Sequence, residues 1–245
     1  KKINHLPDDK ELTRWGIVKK KEIYFSLNQF DKGANELIGW LKKHQDDYEI
    51  RGILAEAYAA NGKKELAASQ YKILKDQNPD NPAVSFSLGQ FLYQSGNKSE
   101  ALTEFLNGFK SPDVNPSIKI EVIKSFISGQ EQKSKLDPGV IKLIDVLYQV
   151  DKGNSQVDAL YANYLYSEDK LEEAKPIYRS IIQKDPGNFL AWQNLLFIMN
   201  QQLDYKGMQE VSDSALVYYP SQGLFYLFKG IAEIEFKNYP NAISP

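Results

Sequence analysis

One spacing governs what this chain can fold into. A small residue followed four positions later by an aromatic recurs as Ala67…Tyr71, Ala101…Phe105 and Ala174…Tyr178. From Ala67 to Ala101 is 34 residues, and the same step reaches Gly33 upstream of Ala67, then Met208 and Ala242 downstream of Ala174. Pro79, Pro186 and Pro220 keep the same time, each 12 residues after its anchor. A fixed period in the range of about 20–50 residues is the mark of stacked repeats, in which no unit buries its apolar face alone and neighbours complete one another. Length by itself would allow one or two compact domains. The period replaces both with a solenoid: the 245 residues hold about seven steps of 34.

Composition removes most other classes. The chain has no Cys, so disulfides, thiolate metal sites and a thiol nucleophile within it are excluded. Only His5 and His44 could supply imidazole, which speaks against histidine catalysis or a multi-histidine metal site. A net charge of −2 gives no electrostatic case for nucleic acid. No apolar run approaches the roughly 18 residues of a membrane helix. There is no G-x-G-x-x-G, Walker A, H-E-x-x-H or G-x-S-x-G pattern. No cofactor and no metal are expected, and the chain is read as not an enzyme. Acidic pairs such as Asp46-Asp47 and Glu172-Glu173, and the basic run Lys19-Lys20-Lys21, read as solvated helix and turn surface.

Within each period, apolar residues recur at spacings of three and four, the helical signature. Asn81-Pro82, Asn115-Pro116 and Asp137-Pro138 each place an N-cap side chain before a first-turn proline. The cap accepts an orphan backbone N–H, and proline gives up a donor that had no partner there. Gly62 and Gly96 fall between paired helices, where a left-handed residue ends a helix. Pro79, Pro186 and Pro220 end second helices. Sustained heptads are absent, so a coiled coil is excluded.

These residues resemble the tetratricopeptide repeat, a 34-residue helix–turn–helix unit. With the anchor set at position 20, repeats run near 14–47, 48–81, 82–115, 155–188 and 189–222, with a truncated one at 223–245. The repeat from Tyr48 carries Leu54, Ala55, Tyr58, Ala67, Tyr71 and Pro79 at the family's positions 7, 8, 11, 20, 24 and 32. The repeat from Pro82 carries Leu88, Gly89, Ala101 and Phe105; that from Ser155 carries Tyr161, Ala162, Ala174, Tyr178 and Pro186; that from Phe189 carries Trp192, Leu195, Ala215 and Pro220. Arg51 and Asp158 depart from the large residue expected at position 4, and Met208 and Ser212 depart at 20 and 24. Ala101 and Ala174 are 73 residues apart, so a divergent repeat of 39 fills 116–154, its extra length assigned to the polar stretch 129–135. Residues 1–13 read as a leading segment, and the chain reads as a piece of a longer protein. The resemblance implies an all-α, right-handed superhelix of about seven helix pairs.

In this family, positions 2, 5, 9 and 12 of the first helix line a concave groove that takes extended peptides or partner helices. At about 100° per residue they point away from the core positions 4, 7, 8 and 11. The groove expectation rests on Phe86, Gln90, Tyr93, Asn163, Tyr166, Gln193, Phe197 and Asn200. Amides can donate to and accept from a peptide backbone, and aromatics give contact area at low entropic cost. The competing reading packs those aromatics between adjacent repeats. Positions 5 and 9 carry no Lys or Arg from Tyr48 on, outside the divergent repeat, which argues against the carboxylate clamp of chaperone-binding members. In the last repeat, Lys229 and Glu233 occupy core positions. Its apolar stripe turns toward Leu224, Leu227, Phe228, Ile231 and Ile234, and self-association through Leu224, Leu227, Ile231 and Ile234 follows as an expectation. The implied function is a protein–protein interaction scaffold with a protein or peptide partner. The alternative is a structural spacer or oligomerisation segment of a larger bacterial envelope protein. Localisation leans to the bacterial cell envelope, on the periplasmic side, over the cytoplasm.

Overall fold

The computed structural model describes residues 10–129 and 136–237. These residues form thirteen α-helices and no strand. They divide into two compact units, Lys1–Val114 and Asn115–Pro245. The polar stretch assigned the extra length lies mostly outside the described residues, and so does Ala242.

The first unit holds α1 (Lys10–Ser26), α2 (Phe30–Leu41), α3 (Tyr48–Ala60), α4 (Lys64–Gln77), α5 (Pro82–Gln94) and α6 (Lys98–Gly108). They pack as three hairpins, α1 with α2, α3 with α4 and α5 with α6. The hairpins join through α2 on α3 and α4 on α5, while α3 lies beside α5. Leu37, Ile50, Leu54, Ala55, Ala67, Tyr71 and Leu74 are buried in one cluster. Each such leucine or isoleucine contributes roughly 1.5–3 kcal/mol of burial. The small residues are where helices come closest. A Cβ on Gly89 would sit 2.9 Å from the Phe105 ring, and one on Gly108 would sit 2.7 Å from the Phe86 Cα. Arg51, at the position expected to be large and apolar, is buried as a charge. It donates to the Gln70 side chain at 3.2 Å and to the Gln45 carbonyl at 2.8 Å.

The second unit holds α7 (Pro116–Ser128), α8 (Pro138–Asp151), α9 (Ser155–Ser167), α10 (Leu171–Lys184), α11 (Phe189–Gln201), α12 (Tyr205–Tyr218) and α13 (Gly223–Glu235). Helix α7 pairs with α8, α9 with α10 and α11 with α12, and α13 packs on α12 and α11. In the divergent pair, the fully buried Lys119 ammonium meets Asp151 at 2.7 Å. Asp158, buried where a large residue was expected, accepts the Gly153 N–H at 3.0 Å and faces Lys184 at 3.4 Å. In α13, Lys229 reaches Asp213 at 2.8 Å, and the buried Glu233 accepts from Gln209 at 2.6 Å.

The helix ends follow the local chemistry. Asn81 accepts the Ala83 N–H at 3.0 Å, Asn115 that of Ser117 at 2.8 Å and Asp137 that of Gly139 at 2.7 Å, with Pro82, Pro116 and Pro138 in the first turns. Helices α4, α10 and α12 end two residues before Pro79, Pro186 and Pro220. The ends of α1, α3, α5, α9, α11 and α13 share one geometry. Asn28, Gly62, Gly96, Asp169, Leu203 and Lys237 all have positive φ, between 56° and 90°. Around five of them, the next N–H reaches back five residues: Gln29 to Tyr24, Lys63 to Tyr58, Asn97 to Leu92, Lys170 to Leu165 and Asp204 to Met199, at 2.8–2.9 Å. That bond satisfies a carbonyl of the helix end.

Candidate functional site

The eight residues expected to line a groove divide between the units: Phe86, Gln90 and Tyr93 in the first, and Asn163, Tyr166, Gln193, Phe197 and Asn200 in the second. Phe86 requires a correction. Its side chain is buried, with ring centroids 5.4 Å from Phe105 and 6.1 Å from Phe109. The missing side chain of Gly108 lets α6 approach the Phe86 backbone, so the ring fills the hairpin core instead of facing out. Gln90 and Tyr93 are half-buried on α5. On α11, Phe197 packs edge-on against the buried Phe228 at 5.5 Å, so packing within the unit takes up one side of its ring. Tyr166 and Gln193 are half-buried, and Asn163 and Asn200 are exposed.

The structure ties one of these residues into a network that joins three helices. Tyr178 on α10 donates its hydroxyl to Asn163 Oδ1 on α9 at 2.7 Å. Asn194 on α11 donates from Nδ2 to the same oxygen at 3.2 Å and to the Tyr178 hydroxyl at 3.1 Å. Burial pushes the Tyr178 hydroxyl up to about 12, against a smaller opposing effect of the Asn194 hydrogen bond. The phenol therefore stays neutral and can donate across the ordinary pH range. With Oδ1 of Asn163 holding two donors, its Nδ2 donors are left for the solvent side of α9. The arrangement can offer N–H groups to a carbonyl; it has no nucleophile or acid–base pair. Asn194 escaped the sequence reading because it sits one position beyond the groove set.

The first unit builds a counterpart on the same register. Glu56 on α3 is steadied as a carboxylate by Ser87 on α5, and its charge acts on the buried Tyr71 of α4. Glu56 is exposed as a residue, but desolvation of its carboxyl raises its pKa above the ordinary 4.5, opposed by Lys21 and by the Ser87 bond. Burial raises the Tyr71 hydroxyl, and the Glu56 charge adds to it.

Among the described residues, no helix is long and apolar enough to cross a membrane. No group of three or more histidine and acidic side chains there could hold a metal ion.

Short antiparallel helices paired in a repeating register define the class, an all-α helical-repeat protein. A model of the tetratricopeptide repeat family matches residues 22–82 and 66–114. The family generally provides protein–protein interaction scaffolds and is generally non-catalytic. The solved C-terminal part of a repeat-containing protein from Cytophaga hutchinsonii is similar at TM-score 0.50 and 13% identity, over 91% of this chain and 87% of that one. YrrB, described as a tetratricopeptide repeat protein with an unusual peptide-binding site, is similar at TM-score 0.50 and 14% identity, over 78% and 96%. A tetratricopeptide repeat protein from Parabacteroides merdae gives 0.46 at 12% identity, over 94% and 90%. At these identities the likeness is one of fold. No curated protein matches the chain significantly.

Proposed function

We propose that this chain is a non-catalytic interaction module that captures an extended segment or helix of a partner protein on the face of its first helices. Gln90 and Tyr93 serve in the first unit, and Asn163, Tyr166, Gln193, Phe197 and Asn200 in the second. The observation that carries the reading is the Asn163–Tyr178–Asn194 network. A buried phenol holds an exposed carboxamide in one orientation, with donors free for a peptide carbonyl. Preorganisation of that kind lowers the entropic cost of binding. A likeness of fold to YrrB, itself described by its peptide-binding site, supports the same reading. The test is a partner captured by cross-linking to the wild-type chain and then offered to the double substitution Tyr93→Ala with Tyr166→Ala. Capture should weaken while helical circular dichroism stays unchanged. Undiminished capture by the variant counts against the face of the first helices as the site.

A second reading, a spacer or oligomerisation segment, is favoured by α13. Leu227 and Ile234 there are 57% and 51% exposed, and Leu224 and Ile231 beside them are half-buried. Sedimentation that depends on concentration, and that Leu227→Ser with Ile234→Ser abolishes, would favour this reading.

A further inference from the structure

The first unit carries a cleft that the groove residues above do not include. It lies between α1 and the start of α3 and encloses about 830 Å³. Trp15 and Tyr48 contribute aromatic rings to its walls, and Val18 and Ile53 are the aliphatic lining. Trp15 is 60% exposed and Tyr48 38% exposed, unusual for rings of this size when other tryptophans of the chain are buried. The remaining lining is charged: Arg14, Asp46, Asp47 and Glu49.

The charged side is rigid. Arg14 donates to Asp47 from Nε at 2.8 Å and from Nη2 at 3.2 Å, and reaches Glu49 with Nη2. Asp47 also accepts from Trp40 Nε1 at 2.8 Å and from the Ile50 N–H at 3.1 Å. Burial opposes the Asp47 charge, but these hydrogen bonds outweigh it and hold the carboxyl below its ordinary range. So Arg14 is committed, and its own pKa is raised by Asp47 and Glu49. Three carboxylates against one guanidinium leave the cleft negative. Asp46 is in no ion pair among the described residues. The exposed ring already draws one cation, Lys19 Nζ at 6.0 Å, but that ammonium is committed to Glu22 at 2.8 Å.

An open aromatic wall beside surplus negative charge is complementary to a cation, which gains from the ring quadrupole and from the carboxylates together. We infer that the α1–α3 cleft is a recognition pocket for a lysine or arginine side chain of a partner segment. The inference rests on the reading of the chain as an interaction module, but it uses different residues in a different unit from the Asn163 network. The aliphatic pair Val18 and Ile53 would contact the methylene stem, while the head group lies over Trp15 and toward Asp46 and Glu49.

The test uses the whole chain and a capped hexa-arginine peptide, titrated by calorimetry at low ionic strength. Capped hexa-glutamate and hexa-serine serve as controls. Saturable binding of hexa-arginine alone is expected. Trp15→Leu keeps every charge and removes only the ring; it should weaken binding about fivefold or more, and Trp15→Phe should restore part of the loss. Glu49→Gln should weaken binding about threefold and steepen no salt dependence. Ser214→Ala, at an exposed position of α12 outside both sites, should leave the affinity unchanged. The groove reading is tested on its own captured partner, so its failure and the failure of this one are separable. Absence of saturable binding overturns the inference. So does equal affinity in Trp15→Leu, which would mark plain charge attraction, or equal binding of hexa-serine.

Discussion

The two units build the same device from different chemistry. In the first, Glu56, Tyr71 and Ser87 occupy the register that Asn163, Tyr178 and Asn194 occupy in the second, each residue shifted by the same 107 positions. In both, a buried tyrosine on a second helix interacts with a polar residue of a first helix, through a hydrogen bond to Asn163 in one unit and through the charge of Glu56 in the other. One site ends in a carboxylate, the other in an amide. The repeat dictates where a polar group can stand on this face. The side chain placed there dictates what it can hold, an acceptor in one unit and a donor in the other. Fold and specificity are therefore separable in this chain.

The comparison breaks most sharply at the tyrosines. Tyr178→Phe removes a donor on which Asn163 depends, and should cost about 1–1.5 kcal/mol of stability in urea melts. Tyr71→Phe should cost clearly less, because Tyr71 interacts with Glu56 only through its field. Equal losses would mean that the two hydroxyls are held alike, with Tyr71 bonded as firmly as Tyr178.

The hairpin turns sharpen the contrast by about 1 kcal/mol. After α1, α3 and α5 the first unit has Asn28, Gly62 and Gly96 left-handed, whereas after α9, α11 and α13 the second has Asp169, Leu203 and Lys237; its left-handed Gly153 lies between α8 and α9. Leucine is costly in that conformation and glycine is not. Leu203→Gly should stabilise the chain by about 1 kcal/mol, and Gly62→Ala should destabilise it by a similar amount, both read from denaturation midpoints.

The smallest effect separates the carboxylate from the amide by pH. The Glu56 carboxyl is raised above 4.5 by desolvation, so protonation favours the folded form. That contribution is complete below the unfolded pKa and is lost as pH rises through the folded value. Glu56→Gln should therefore gain slightly on wild type at neutral pH, and the gain should vanish on acidification. Asn163 has no proton to exchange, so Asn163→Ala should show no such pH dependence.

Much of this architecture was legible before any coordinates. The proline and glycine punctuation, the caps at Asn81, Asn115 and Asp137 and the all-α class follow from backbone chemistry acting over a few residues. Legibility failed where an outcome depended on a second helix. Phe86 has a groove position by helical angle, yet the gap at Gly108 draws its ring inward. Arg51 and Asp158 break the apolar pattern and are buried all the same, because Gln70, Gln45 and Lys184 supply partners from elsewhere in the chain. Lys119 and Asp151 find each other across 32 residues with no local sign of the pairing. Asn194 sits one position past the groove set, and Trp15, although at position 2 of the repeat 14–47, lies in a repeat from which that set took no residue.

The turn bonds that reach back five residues have a consequence for watching this chain breathe. Each ties one amide to its own hairpin, at Gln29, Lys63, Asn97, Lys170 and Asp204. Within a unit those amides are spaced by one repeat, and a hairpin cannot open without releasing its own. In hydrogen–deuterium exchange they act as reporters set at regular intervals, one for each of five hairpins. Their exchange rates would rank the hairpins by local stability, and the order in which the solenoid frays could be read from five backbone signals.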